Sequence, residues 1–382
     1  GHVRLGAIIA KATAVGYIYA GRYPPPADIF KTNQCCTWYP VHVHLSFVTI
    51  LYACVIIMFY VGYNNVESIK ESASVASSTF SIIIPFRNEA NNLQELINSL
   101  NILDYPKELF EAIFVNDNST DSSIDIINKW NALTNTYIID SKRFSNSPKK
   151  DAIKTAISKS RFNYIITTDA DCVIPKSWLY AYNNIIIDKH PKFIAAPVSY
   201  HNVNKLLDVF QLHDFLSLQS VTIGAFGLNK PFICNGANLC YSKSIFLEVN
   251  GFEGNHNIAS GDDVFFMEKV IQAYPDDVFY LKSIEAIVYT KPLSSINSLI
   301  HQRMRWAAKT SAFSGIFSKL IAFIVFVMNI SLILFLILAF LNYLQWHILM
   351  LMFLIKVSCD FLLIEKSMEF FKQKNSCYYY PV

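Results

Sequence analysis

The sequence predicts an α/β protein, a doubly wound sheet flanked by transmembrane helices. Three observations carry this. Short, continuous apolar runs alternate with segments at helical spacing between Phe80 and Asp171. Charged residues are 16% of the 382, yet none occurs in 32–66 or 320–355. Three of the apolar runs end in polar or acidic loops, where open α/β sheets bind ligands.

Phe80 to Pro85 is a continuous apolar run, the mark of a buried parallel strand. Arg87-Asn88-Glu89 follows as a loop. Asn91 to Leu103 has Leu93, Leu96, Ile97 and Leu100 at helical spacing. Phe110 to Val115 is a second buried strand, ending at Asn116-Asp117-Asn118-Ser119. Ser122 to Trp130 reads as a helix capped by Ser119 or Asp121. Thr136 to Ile139 is a third strand, Asp151 to Lys159 a helix, and Tyr164 to Thr168 a fourth strand ending at Asp169-Ala170-Asp171.

The flanks read as membrane segments. Residues 45–63 and the long run from Leu320 to Ile364 are apolar enough to cross a hydrocarbon core of about 30 Å. The second run suits two spans, 320–341 and 346–364, broken near Asn342 to Trp346. The expected division is an unassigned N-terminal extension at 1–44, a transmembrane helix at 45–63, the α/β domain at 64–300 and an interfacial segment at 301–319. Two more spans and a C-terminal tail at 365–382 follow. Lys356 and Asp360, four apart in the last span, read as a mutually neutralised pair or as part of a substrate path. Lys70, Arg303, Arg305, Lys309, Lys319 and the tail lysines put the domain on the cytoplasmic side of a multi-pass plasma membrane, of the bacterial inner-membrane type. The chain does not begin with Met and ends on an apolar opening, Tyr378 to Val382, so a longer parent chain is expected.

A net charge of +3 without a basic run excludes nucleic acid as a partner. The eight cysteines lack CxxC spacing, which points to a reduced compartment. Cys35-Cys36 with His42 and His44 fits a tetrahedral metal site poorly.

Asp169 and Asp171 share a side if the loop continues the strand, and two carboxylates there suit Mg²⁺ or Mn²⁺ bridging to phosphate oxygens. Asp117 ends another strand. It either accepts bonds from a base or ribose or makes an Asx turn. Lys149 and Lys150 open a helix against its dipole, so they face a phosphate or stand solvated. Asp262 and Asp263 precede an apolar helix, where one carboxylate suffices as cap and the other can serve as general base. Gln302, Arg305 and Trp306 sit ahead of a span, as interface anchors or as a clamp for a diphosphate and a sugar ring.

These pieces together resemble the membrane-bound, inverting family-2 glycosyltransferases of the GT-A fold, the group with cellulose, chitin and hyaluronan synthases and ceramide glucosyltransferases. The matching pieces lie between Phe80 and residue 310: Ile84 to Glu89, Val115 to Ser119, Lys149 to Ile153, Asp169 to Asp171, Asn235 to Asn238, Gly261 to Asp263 and Gln302 to Trp306. The resemblance implies a nucleotide-diphosphate sugar as donor, by the family's habit a uridine diphosphate sugar, and a lipid or glycan acceptor. By the same resemblance Pro85, Arg87, Glu89, Asp117, Lys149 and Asp169 bind the donor nucleotide, and Asp169 and Asp171 hold the metal. Gly236, Ala237 and Asn238 form a sugar or acceptor wall. Asp263, or Asp262, is the base. Gln302, Arg305 and Trp306 take the acceptor and the leaving diphosphate. A processive polysaccharide synthase and a non-catalytic nucleotide-sugar binder are the alternatives.

Overall fold

The computed structural model describes residues 29–69, 74–130, 135–254, 261–311 and 315–374, with side chains from residue 47 on except 262 and 308–311. Residues 1–28 of the expected N-terminal extension, the side chains of Cys35, Cys36, His42, His44, Asp262 and Lys309, all of Lys70 and the end of the tail lie outside what is described; residues 29–44 of that extension are helical backbone continuous with the expected span. The chain divides into two units, Gly1–Ile50 and Leu51–Val382. Of the first, only helical backbone from Ile29 onward and the side chains from Phe47 are described. The second holds the α/β domain.

Helix α1 (Ile29–Asn65) is followed by strand β1 (Phe80–Phe86), α2 (Leu93–Asn101), β2 (Phe110–Asn116), α3 (Ser123–Lys129), β3 (Thr136–Asp140), α4 (Pro148–Lys159) and β4 (Tyr164–Thr167). The expected strands and helices all form, with ends shifted by a few residues. Pairing is parallel in the order β3-β2-β1-β4. The chain therefore reverses its direction of winding between β1 and β4, the switch point where such sheets open a crevice. β1 and β2 are buried almost throughout, which is why they read as unbroken apolar runs.

Beyond β4 the strands are three or four residues long, too short to show a period. The elements there are α5 (Trp178–Lys189), β5 (Phe193–Ala195), β6 (Val198–Tyr200), α6 (Leu206–Gly227), β7 (Leu239–Ser242), α7 (Lys243–Glu248), α8 (Asp262–Ala273), β8 (Val278–Tyr280) and β9 (Val288–Thr290). The sheet becomes seven-stranded, β3-β2-β1-β4-β7-β5-β8, with β7 antiparallel to both neighbours. β6 and β9 pair separately. This mixed, parallel-dominated sheet is the GT-A arrangement that the resemblance implies.

Helices α9 (Ile296–Ser311), α10 (Ile316–Phe340) and α11 (Trp346–Phe370) complete the described chain. Among the described residues, three segments are long and apolar enough to cross a membrane: Phe47–Asn65, Ile316–Phe340 and Trp346–Phe370. The break at 341–345 falls where the polar and aromatic residues predicted it.

Helix α6 is apolar nearly all round because it is covered on two sides. Leu212, Leu216 and Ile223 join the domain core. Its other face meets α11, where Ser220 Oγ lies 2.6 Å from Ser367 Oγ, and the end of α1. There a Cβ on Gly227 would stand 1.8 Å from the Gly62 carbonyl oxygen, so only glycine permits the crossing. Lys282 closes the same junction by donating to the carbonyls of Tyr63 (2.9 Å) and Val66 (3.0 Å), which ends α1 with a cation.

Candidate active site

The loops after β1 and β2 are laced together at the switch point. Asn88 takes a left-handed conformation (φ 57°), which its short polar side chain tolerates. Its Oδ1 accepts from the Thr120 amide at 2.8 Å, and its own amide donates to Ser119 Oγ at 3.1 Å. Asp121 accepts from the amides of Ala90 and Ser123, so it caps α3, while Ser119 is spent on the neighbouring loop. The Asx turn belongs to Asn116, whose Oδ1 accepts from the Ser119 amide at 2.9 Å. Asp117 is left for other work. Its buried carboxylate is paired with Arg143, and Arg87 stands 3.8 Å away. Arg143 follows β3 and had no sequence signal beyond its charge.

Pro85, next to last in β1, is half-buried, and Glu89 faces the acidic pair across the crevice. Half-burial pushes the Glu89 carboxyl up, and Asp171 and Asp169 push it further, against a bond from Asn92 at 2.8 Å. The Asp169–Asp171 loop turns and does not continue the strand: the Cys172 amide donates to the Asp169 carbonyl at 3.2 Å. Asp169 is half-exposed and paired with Lys149. Asp171 is turned inward, and its Oδ2 accepts from Thr290 Oγ1 at 3.0 Å. Thr290 reaches it because Val173 and Tyr289 exchange both backbone hydrogen bonds, at 2.7 and 2.9 Å. Burial raises the Asp171 carboxyl above the usual range, and Asp169 adds to that.

A carboxylate whose pKa is raised by burial and by a second carboxylate beside it fits a hard cation, which relieves the repulsion. Among the described residues no cluster of three or more His, Cys, Asp and Glu stands ready to hold a metal. A cation held by Asp169 and Asp171 would leave its remaining positions to substrate oxygens or water.

Lys149, in the first turn of α4, also stands near the Gly236–Asp263 corner. A Cβ at Gly236 would lie 3.7 Å from Lys149 Nζ and 3.5 Å from Asp263 Oδ2. The Gly236 amide donates to Asp263 Oδ2 at 3.0 Å, and Thr167 Oγ1 donates to the Gly236 carbonyl at 3.0 Å. The end of β4, the turn before β7 and the start of α8 thus meet at one carboxylate. Lys150 is buried, so neither lysine is a merely solvated charge.

Asn238 has a different place from its neighbours. It is fully buried and accepts from Trp178 Nε1 (3.0 Å) and Tyr182 Oη (2.8 Å). It donates to the carbonyls of Pro197 (2.7 Å) and Ala286 (2.8 Å). With all four bonds made inside the protein, it braces the Gly236–Ala237 turn and faces no ligand. Ala237 is buried beside it, with its amide donating to Asn235 Oδ1 at 3.0 Å.

On α9 the structure brings Arg303 and Trp306 inward, three apart on one face. Arg303 pairs with Asp214 of α6, donates to Gln302 Oε1 at 2.7 Å, and stacks 4.2 Å from the Trp306 ring. Trp306 also leans on Phe215, with ring centres 6.3 Å apart. Arg305 points to the exposed side and is not brought to the crevice. Burial raises the Asp214 carboxyl, and Arg303 opposes that rise. Sequence reasoning missed Asp214 because a single acidic residue on an apolar helix carries no motif.

A cavity of about 1020 Å³ opens beside this face. Asp263, Val264 and Trp306 are at its wall with α6, and the rest of its lining comes from α1, α10, α11 and residues 232–235.

Residues 81–249 match the model of glycosyl transferase family 2. The poly(ribitol-phosphate) beta-N-acetylglucosaminyltransferase TarS of Staphylococcus aureus is 32% identical over 100 residues, 26% of this chain and 17% of that protein. The glycosyltransferase AglE of Haloferax volcanii is 25% identical over 185 residues, 48% of this chain and 58% of that protein. The chain spans less than two thirds of the length of either relative. Among solved structures, the mannosyltransferase PcManGT from Pyrobaculum calidifontis, in complex with GDP-Man and Mn²⁺, aligns with a TM-score of 0.57 at 13% identity. That alignment covers 86% of this chain and 98% of the other, and the likeness is one of fold.

Proposed function

We propose that this chain, a glycosyltransferase with a family 2 domain at residues 81–249, moves one sugar from a nucleotide-diphosphate sugar to a hydroxyl of a lipid or glycan acceptor at a membrane surface. The observation that carries this is the meeting of Lys149, Gly236 and Asp263 beside Asp169. One carboxylate able to take a proton lies next to a cation and an acidic pair suited to a diphosphate.

The roles follow from the contacts. Asp117, held by Arg143 and near Arg87, is a buried acceptor for ribose or base at the ends of β1 and β2. Lys149 can leave Asp169 for a diphosphate oxygen, because both groups are partly exposed. Asp169 and Asp171 would hold Mg²⁺ or Mn²⁺, which supplies positive charge for the departing diphosphate. Asp263 Oδ2, oriented by the Gly236 amide, takes the proton of the acceptor hydroxyl. The acceptor oxygen then bonds to the anomeric carbon, and the electron pair of the old glycosidic bond leaves on the diphosphate. A single displacement of this kind inverts the anomeric centre.

The three membrane-length helices and the lysines and arginines beside them favour a multi-pass protein with its catalytic domain on the cytoplasmic face. Substitution Asp263→Asn is the test. Transfer should fall by about 10²–10⁴-fold while donor affinity stays within about twofold. Retained turnover would remove Asp263 as the base.

A further inference from the structure

The cavity beside Asp263 has an unusual far wall. Tyr52 of α1 donates to Asp360 Oδ1 at 2.5 Å, and Lys356 Nζ donates to Asp360 Oδ2 at 2.6 Å. All three side chains line the cavity that Asp263 and Trp306 also line. Lys356 stands ten residues after Trp346, and Asp360 ten before Phe370. The apolar part of α11 ends at Ile364, before Glu365 and Lys366, so Lys356 lies about 15 Å from one end of it and Asp360 about 6 Å from the other.

An ion pair at that depth needs a reason. Taking two charges out of water costs more than their attraction commonly returns, and a well-packed apolar pair would hold the helices as well. Ionisable groups inside a membrane-length helix are rare and tend to mark a path for substrate. Most of the lining there is hydrocarbon, Ile56, Phe326, Phe353 and Val357 among others, to which Asn329 of α10 adds an amide. A water-soluble glycan has nothing to bind in such a space. A lipid chain does.

We propose that the acceptor is a membrane lipid with at least two polar groups. Its terminal hydroxyl meets Asp263, its chain lies between α1, α10 and α11, and a second polar group, such as an ester, amide or hydroxyl, hydrogen-bonds with the Tyr52–Lys356–Asp360 group. The inference rests on the sugar-transfer reading above and names its acceptor class. Lys356 has donors to spare beyond the one given to Asp360, since an ammonium has three. Asp263 belongs to the transfer reaction, and the ion pair sets which lipid fits.

The test uses the full chain in phosphatidylcholine vesicles containing either dioleoylglycerol, which carries ester groups below its hydroxyl, or dodecanol, which carries none. Sugar label from the donor should enter the organic phase with both. Ala322→Trp fills the cavity and should lower both transfers by about tenfold or more. Leu336→Trp, on an exposed face of α10 away from the cavity, should not. The double substitution Lys356→Met with Asp360→Leu leaves no orphan charge. It should lower transfer to dioleoylglycerol by about tenfold and spare transfer to dodecanol.

Label that stays water-soluble with dioleoylglycerol overturns the inference, as does an Ala322→Trp chain that transfers normally. Equal loss on both lipids in the double variant overturns the role of the ion pair. If the unaltered chain also fails to release nucleoside diphosphate from any donor, the sugar-transfer reading falls too. If it releases nucleoside diphosphate while the lipid outcomes fail, only the acceptor assignment falls.

Discussion

The two sides of Asp263 are built in opposite ways. The donor side is a crevice of charge, made from loops that follow β1, β2 and β4, with Asp117–Arg143 and Asp169–Lys149 pairs at its floor. The acceptor side is a hydrocarbon cavity walled by α6 and the membrane-length helices. The donor loops come from a run of about ninety residues of strand–loop–helix units, so local order builds them. The acceptor wall joins residues more than three hundred apart, such as Tyr52 and Asp360, so only tertiary packing builds it. Substitutions on one side should leave the other nearly intact, and each prediction below can break that separation.

The largest effect is expected at the helix crossing of the acceptor side. Gly227→Val drives a side chain into the Gly62 carbonyl and should cost about 3 kcal/mol of stability, read as a lower thermal midpoint in detergent. Isolated loss of acceptor use without loss of stability would contradict the close crossing. On the donor side, Asp171→Ala should weaken metal-dependent donor binding by about 10–100-fold in calorimetry, with no change when EDTA is present. Arg143→Ala leaves Asp117 buried without its close partner. It should cost about 1–2 kcal/mol and lower donor affinity, while transfer at saturating donor stays near normal.

Trp306→Ala tests the boundary itself. Transfer to acceptor should fall by about tenfold while slow hydrolysis of the donor by water is unchanged. Equal losses would make Trp306 a prop for Phe215 and no more. The smallest effect concerns Lys282, which joins α1 to the domain. Burial, with repulsion from Lys366, pushes its amine down to about 8. The unfolded chain then binds the extra proton between about pH 8 and its ordinary value, so stability should rise with pH across that window. Lys282→Met should flatten the rise in urea titrations, and an unchanged slope would contradict it.

The same contrast explains what could be read beforehand. β1, β2 and β4 were legible because a strand buried on both faces is a continuous apolar run, and their loops announced themselves by charge. Asp169 and Asp171 were found for that reason, although the segment that carries them turns and does not continue the strand. Thr290, which holds Asp171, ends a three-residue strand with no room for a period. Asp214 and Arg143 act through partners far along the chain. On α9 the motif drew attention to Arg305, whereas the spacing of three from Trp306 brings Arg303 to the domain. Asn238 fell among the matching pieces yet serves the interior. Local pattern identifies a segment, and only packing says which of its side chains faces the site.

The central claim is that the charged crevice holds a nucleotide-diphosphate sugar for attack at the cavity's edge. The most direct measurement is release of nucleoside diphosphate by the reconstituted chain across a panel of nucleotide sugars, with Mg²⁺ or Mn²⁺ and again with EDTA. The account predicts release from one donor, dependent on the metal and absent after chelation. A donor that binds, with no release from any member of the panel in acceptor-containing membranes, would contradict it.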